Sequence, residues 1–548
     1  MTLQPRPILP VPEATAAVAR AAFPKGNVYL QLRDELGTIY EDPLFADLYP
    51  RDGQPAATPW RLALVTVLQF AEHLPDRQAA DAVRSRIDWK YLLGLELTDP
   101  GFDYSVLCEF RTRLVQGDLT DLLLDQMLRV LKDKGILKSR GRHRTDSTHI
   151  VAAVRDLSRM ELVGTTLLHT LNSLSIVAPA WVRATVPSAW TERYRTRWDA
   201  YRLPRTESER LALCHQVGQD GYFLLKARFA ADAPPWLRHI PVVDILRRVW
   251  VQNFYLDDQG VQWRRAGNLP PAAEALCSPF DVEARYSIKR ETEWTGYKVH
   301  LTETCDSDAP HLIVHVITTA ATEQDNEVMA DLHEALATKD VLPREHLVDQ
   351  GYSDSHELMR AHDEYGVDLV MPMRGDHSWQ AQAGEGFALS DFQIDWEAQQ
   401  VTCPEGKTSN SWVLKHDKQG HPRYEVMFNS TNCAPCPVRE RCTHSKRHRR
   451  KLTIRPAHEH AVLEAARARQ HTDDFRSRYA ARAGIEGTIS QTVGALDMRR
   501  SRYRGEPKTH LQHIATAAAT NIKRLVNWWN EIPVAKTKPT RFSVLMAA

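Results

Sequence analysis

Three acidic positions carry the chemistry this chain could do. One lies in Tyr479-Ala-Ala-Arg-Ala-Gly-Ile-Glu486-Gly-Thr-Ile-Ser-Gln. The stretch reads as a helix capped by Asp473 or Asp474. Tyr479, Arg482 and Glu486 then fall at i, i+3 and i+7 on one face, which Ile489 and Val493 extend. An arginine one turn before a glutamate on a half-apolar face describes a held carboxylate, or else an i,i+4 surface ion pair of little worth. The second acid is Asp146, in the β-rich run Thr145-Asp146-Ser-Thr-His-Ile150 that follows the basic stretch Lys138 to Arg144. A lone aspartate on a short buried strand is costly unless it is hydrogen-bonded or binds a metal. The alternative is a strand-end aspartate bonding nearby backbone amides. The third is Asp349, at the end of the apolar strand His346-Leu-Val-Asp349 and followed by Gly351, which lets the backbone turn.

The elements that must position these acids form a mixed α/β pattern. Trp294 to Thr304 alternates as a strand, Cys305 to Pro310 turns, and Leu312 to Thr319 returns. A helix capped by Asp325 runs from Asn326 to about Lys339. The strand ending at Asp349, a helix from Ser355 to Tyr365 and a strand Val367 to Pro372 follow. The closing helix is His510 to Trp529. Before the sheet, residues 1–27 hold five prolines. Thr58-Pro59 then starts a buried helix. Asp76 and Ser105 are expected to cap two more, with Arg77, Arg84, Arg86, Arg111 and Arg113 outward. That pattern fits a helix-turn-helix DNA reader or a plain bundle with a basic face.

Two insertions interrupt the pattern. Residues from about 151 to 280 look helical and irregular, with no assignable chemistry. Residues from about 375 to 470 contain Cys403, Cys433-Ala-Pro-Cys436 and Cys442. This is a tetrahedral zinc pattern in which His444 is an alternative fourth ligand; reduced structural thiols or a redox Cys-x2-Cys are the other readings. Trp379, Trp396 and Trp412 also lie here and read as core or as base-stacking groups. Residues 437–455 carry eight basic side chains, among them Arg449 and Arg450, against Glu440 alone. Arg499, Arg500, Arg502, Arg504 and Lys508 follow the Glu486 helix. Both runs are candidates for phosphate contact.

Composition sets the bounds. The chain has 548 residues, 43% hydrophobic and 25% charged, with net charge +1, so charge balance alone names no nucleic-acid partner. Eight cysteines are too sparse for a disulfide scaffold. With neither a signal-like start nor an apolar run of membrane length, a cytoplasmic location is expected.

Taken together, Arg144-Thr-Asp146-Ser-Thr-His149, Trp294-Thr-Gly-Tyr-Lys-Val-His300, Val348-Asp349-Gln-Gly-Tyr352, Arg482-Ala-Gly-Ile-Glu486-Gly-Thr and Arg502-Tyr-Arg-Gly-Glu-Pro-Lys508 resemble bacterial insertion-sequence transposases with a DDE site on an RNase H-like core. The resemblance spans nearly the whole chain. It implies an N-terminal helical DNA-binding domain (1–140) and a first core part (141–375). A cysteine-rich basic insertion (376–470), a closing part with the glutamate helix (471–531) and a tail (532–548) complete the division. It further implies that Asp146, Asp349 and Glu486 are catalytic, and that Tyr479 and Arg482 lie near DNA phosphates. One departure is plain: Val493 stands where the family's pattern has lysine, so Lys508 or the Arg499–Arg504 run must supply that contact, or it is absent.

Phosphodiester transfer needs an activated oxygen nucleophile and a stabilised leaving oxygen, and two Mg²⁺ (or Mn²⁺) ions held by carboxylates supply both. The expected reaction is cleavage at element ends in double-stranded DNA, then strand transfer to a target, by a nucleoid-associated protein that works as a homodimer when DNA-bound. A nuclease without strand transfer, an inactive DNA-binding relic and a zinc-dependent regulator are the competing readings.

Overall fold

The computed structural model describes residues 2–5, 7–384, 386–417, 420–533 and 541–547. At its centre is a mixed sheet of strands β1 (Arg142–Val151), β2 (Arg285–Lys289), β3 (Thr292–Thr304), β4 (Ile313–Ala320), β5 (Glu345–Val348) and β6 (Asp368–Val370). The order is β2–β3–β1–β5–β6, with β4 also paired to β3. β2, β3, β4 and β1 pair antiparallel, whereas β1, β5 and β6 are parallel. Antiparallel β4, β3 and β1 followed by parallel β5 and β6, with β2 added beside β3, are consistent with the RNase H-like core.

Around the sheet lie α1 (Pro59–Ala71), α2 (Asp473–Tyr479), α3 (Gly484–Leu496) and α4 (Glu506–Trp529). Helix α4 is alanine-rich and buries Ala515, Ala517, Ala518 and Ala519, so its backbone comes close to both β4 and α1. Its Asn521 receives the Ile313 N–H and donates to the Ile313 carbonyl, both at 2.8 Å, locking helix to sheet. N-terminal helices, sheet, α3 and α4 share one continuous hydrophobic core. The insertion after β1 has its own, built around Trp181, Trp190, Trp198 and Trp250. The cysteine-bearing segment has a third and smaller one.

Several local expectations need correction. The glutamate helix is broken: α2 is capped by Thr472, whose side chain accepts the Phe475 N–H, not by Asp473 or Asp474. A 3₁₀ turn, Ala480–Ala483, separates it from α3. Asp76 and Ser105 are first-turn residues of their helices rather than caps, and Gln324 precedes Asp325 as the cap of its turn. Arg111 is buried, ion-paired with Asp76 at 2.6 Å and bonded to Gln69 at 3.0 Å. It therefore fastens the helical bundle and offers DNA nothing. Arg113 is half-buried on Glu109 and the Leu48 carbonyl. Arg77 and Arg84 remain on the exposed face. In the tail, Arg541–Ala547 is helical, while 534–540 lie outside the described residues.

The interior holds several histidines kept neutral by burial. Burial pushes His143, His315 and His513 down to about 3, and His300 and His333 down to about 4. An unfolded histidine titrates near 6.5, so below that pH the unfolded chain binds more protons than the folded one. The stability these five groups contribute is therefore complete above about pH 6.5 and drains as pH falls toward their folded values. Asp146, raised to about 6, acts in the opposite direction. Urea midpoints taken from pH 7.5 to 5.5, where unfolded carboxylates hardly titrate, should fall steadily; a flat profile would contradict the neutral-histidine assignment.

Candidate active site

Asp146 lies on β1, paired to Leu301 of β3, and its chain neighbour Thr145 registers with Val348 of β5. Parallel pairing of β1 with β5 thus carries Asp349, one residue past Val348, alongside Asp146. Asp349 caps a 3₁₀ turn, its Oδ1 accepting the Gly351 N–H at 2.8 Å. Gly351 has no positive φ, contrary to the expected turning role. It matters for room instead: a Cβ there would stand 2.9 Å from Asp349 Oδ1 and 3.2 Å from Asp325 Oδ2.

The third acid arrives through Arg482. Its Nη2 lies 2.5 Å from Asp146 Oδ2 and 3.8 Å from Asp349 Oδ2, and its Nη1 is 2.9 Å from Glu486 Oε1. Three acids far apart in sequence therefore meet on one guanidinium. The side chains of Asp146 and Asp349 are 12% and 30% exposed, and that of Glu486 is 67% exposed, so the cluster opens toward solvent on the α3 side. Burial lifts the Asp146 carboxyl to about 6; Arg482 opposes that rise and the Asp349 charge adds to it. Burial works against the Arg482 charge, but Asp146, Tyr479, Asp349 and Glu486 together hold the guanidinium above its usual value.

A layer of buried polar residues fixes this geometry. Tyr352 places its hydroxyl 2.7 Å from His300 Nδ1, joining the Asp349 turn to β3. The motif around Asp349 and the motif ending in His300 are thus in direct contact. Thr145 Oγ1 and His346 Nε2 lie 2.7 Å apart across β1 and β5. Lys298 ion-pairs with Asp325 at 3.1 Å. Glu303, wholly buried on β3, takes Arg144 and Arg524 at 2.6 Å each and the Thr488 hydroxyl at 2.5 Å. It thereby ties β1, α3 and α4 together. Arg144 also donates to the Ala481 carbonyl at 2.6 Å, crossing so close to Gly484 that a Cβ there would sit 2.0 Å from its Nη1. Sequence reading gave no role to Glu303 or Arg524, and saw Arg144 and Lys298 only as members of motifs; the available signal was charge inside strands and on an otherwise alanine-rich helix.

The candidate DNA-contacting residues divide. Tyr479 stacks on Phe475 at 5.4 Å and is half-buried. Arg499 donates to Thr148 Oγ1 at 2.8 Å and to the His149 carbonyl, and its own carbonyl accepts the Val151 N–H. The basic run therefore prolongs the edge of the strand that carries Asp146. Arg500, Arg504 and Lys508 are exposed; Arg502 lies over the Phe70 ring. Arg449 is half-buried. Arg450 is buried, donating to the Cys442 and Phe387 carbonyls at 2.6 and 3.2 Å, and is withdrawn as a phosphate contact. Val493 packs against the core and supplies no cation.

The oxygen donors suit a hard divalent ion. Among the described residues, however, no three His, Cys, Asp or Glu side chains are grouped so as to hold a metal as they stand. The cation between the acids is Arg482, whose Nε is buried without a hydrogen-bond partner.

Two family models match the chain: a transposase DDE domain over residues 402–526 and a transposase domain (DUF772) over residues 18–113. The two matches together indicate an insertion-sequence DDE transposase. The first match includes Glu486 but neither Asp146 nor Asp349. No curated protein matches the transposase. DDE transposases generally use divalent metal ions, and transposases bind DNA. Among the described residues of this transposase, no helix is long and apolar enough to cross a membrane.

Proposed function

We propose that the transposase cleaves DNA at the ends of its own element and joins the freed ends to a target, with Asp146, Asp349 and Glu486 as catalytic acids. The observation that carries this reading is the meeting of all three carboxylates on Arg482. When bound, two Mg²⁺ or Mn²⁺ ions would activate the attacking oxygen and stabilise the leaving one. Asp146 and Asp349 are the natural rigid ligands because both are set by strand register, and Glu486 closes the set from a helix. Arg482 keeps the clustered acids from repelling one another and must turn aside for ions to enter. Turned outward, it faces the side on which Glu486 is exposed, where a DNA phosphate would lie.

Water attacks the phosphorus at the element end, and the P–O3′ bond breaks to free a 3′-hydroxyl. That hydroxyl then attacks a target phosphodiester and expels a second 3′-hydroxyl, so no covalent enzyme intermediate is required. Exposed Arg500, bridged to the end of β1, and Arg504 and Lys508 further along the chain supply phosphate contacts. Joining two ends calls for two active sites, hence a homodimer on DNA acting in the cytoplasm at the nucleoid.

The test uses end-labelled duplexes from the flanks of the gene, a supercoiled target plasmid and Mg²⁺. Label transferred covalently to the plasmid is the expected result. Cleavage without transfer would identify a nuclease, and binding without cleavage a relic; either result overturns the proposal.

A further inference from the structure

The segment between β6 and α2 is built from strands Gln393–Asp395 and Gln400–Thr402, which form one small sheet, and Ser411–His416, Pro422–Met427 and Lys451–Ile454, which form another. Its core consists of Phe392, Val401, Val426, Phe428, Leu452 and Ile454. Of its described apolar side chains only these six are fully buried; Phe387, Trp396, Trp412 and Tyr424 pack half-buried against them, as do Cys403, Cys433 and Cys442, and modules with so small a buried core generally need a staple. Among the described residues every cysteine is free, so no disulfide provides it.

Four of those cysteines come together. Cys403 follows its strand in a tight turn: its N–H donates to the Lys407 carbonyl at 2.8 Å, its Sγ accepts the Lys407 N–H at 3.4 Å, and Gly406 takes φ +72°. Cys433 and Cys436 flank a second turn, closed by the Cys436 N–H on the Cys433 carbonyl at 3.3 Å. Cys442 ends the short helix Arg439–Cys442. All four line a single cavity of about 30 Å³. Lys407, Arg439 and Arg450 line it too. Four thiolates around a divalent ion carry a net charge of −2; Glu405, which also lines the cavity, makes that −3, and these three cations match it. His444, the alternative fourth ligand, instead stacks flat on Trp379 at 3.9 Å and lines a different pocket.

We propose that Cys403, Cys433, Cys436 and Cys442 bind one structural Zn²⁺ that staples the two small sheets of this segment together. The thiols must turn inward to reach ligand distance, since as they stand no such group is closed. With no open ligand position the ion is structural and takes no part in phosphodiester chemistry.

The test is the metal content of the full-length protein purified in reductant and reloaded with Zn²⁺ alone. One equivalent of zinc per chain is expected, released by a mercurial thiol reagent. Replacement by Co²⁺ should give the intense sulfur-to-cobalt absorption of a tetrahedral thiolate site. The double variant Cys433→Ser/Cys436→Ser should lose the equivalent, whereas His444→Ala and Asp146→Asn should keep it. Substoichiometric zinc after reloading, zinc that the mercurial does not release, or zinc retained by the double variant each overturns the proposal. The mercurial and cobalt readings use the unsubstituted chain, so they decide even where the double variant fails to fold. Zinc retained by Asp146→Asn also separates this site from the acid cluster.

Discussion

Asp146→Asn should reduce cleavage of element-end DNA by at least about a thousandfold, roughly 4 kcal/mol of transition-state stabilisation, while DNA affinity changes by no more than a few-fold. The substitution is nearly isosteric. It removes the carboxylate that lies 2.5 Å from Arg482 and that β1 holds beside Asp349. Binding survives because the exposed arginines and Lys508 are untouched. Folding survives too, because burial already makes the charged form of Asp146 costly, as its rise to about 6 shows. A neutral amide should therefore leave the melting temperature unchanged or slightly higher. The measurements are single-turnover cleavage, a gel-shift titration and a thermal melt on the same preparation. Cleavage within tenfold of the parent would remove Asp146 from the catalytic centre.

Glu303→Ala should be the most damaging single change to stability. Its carboxylate is fully buried, and the charges of Arg144 and Arg524 together with the Thr488 hydroxyl outweigh the burial penalty and keep its pKa low. Removing it leaves two guanidinium groups, largely shielded from solvent, without their counter-charge; breaking such a pair from one side costs about 3–5 kcal/mol. That is a large share of the roughly 5–15 kcal/mol by which a domain is stable. Because Arg144 also holds the Ala481 carbonyl, the loss should loosen the turn that carries Arg482 and the first turn of α3. Expected outcomes are a clear fall in urea midpoint and faster proteolysis at Ala480–Ala483. Glu303→Gln, which keeps an acceptor for Thr488, should be less severe. A Glu303→Ala chain that unfolds with the parent would show that the network contributes little.

Much of the candidate site was legible because its residues sit in short segments whose local pattern is distinctive. Asp349-Gln-Gly-Tyr352 at a strand end and the Arg482–Glu486 spacing are fixed by two or three backbone turns, and local spacing is what a sequence displays directly. The strands around Asp146 and Trp294 were readable for the same reason: alternation reports a sheet face. The boundaries of the glutamate helix were less so, because a 3₁₀ turn and an α-helix share similar propensities and Thr472 competes with Asp473 as cap.

Partnership across long range was not legible. Arg111 and Arg450 have the composition of DNA contacts, and each is instead buried against a partner that only the packing supplies, Asp76 in one case and two carbonyls in the other. Burial is a property of the whole assembly, and a basic residue looks the same in sequence whether it faces phosphate or a buried acid. By itself the sequence determined the order of core elements from Trp294 to Pro372, the three acids and the four cysteines, since each is a matter of residue type and local spacing, whereas the strand Arg285–Lys289 and the small strands of the cysteine segment went unread. Only the tertiary structure decided that the acids share one guanidinium, that Glu303 anchors the helix delivering the third, and that His444 lies apart from the cysteine cavity. Those facts depend on strand register and helix packing between residues hundreds of positions apart, where no local signal reaches.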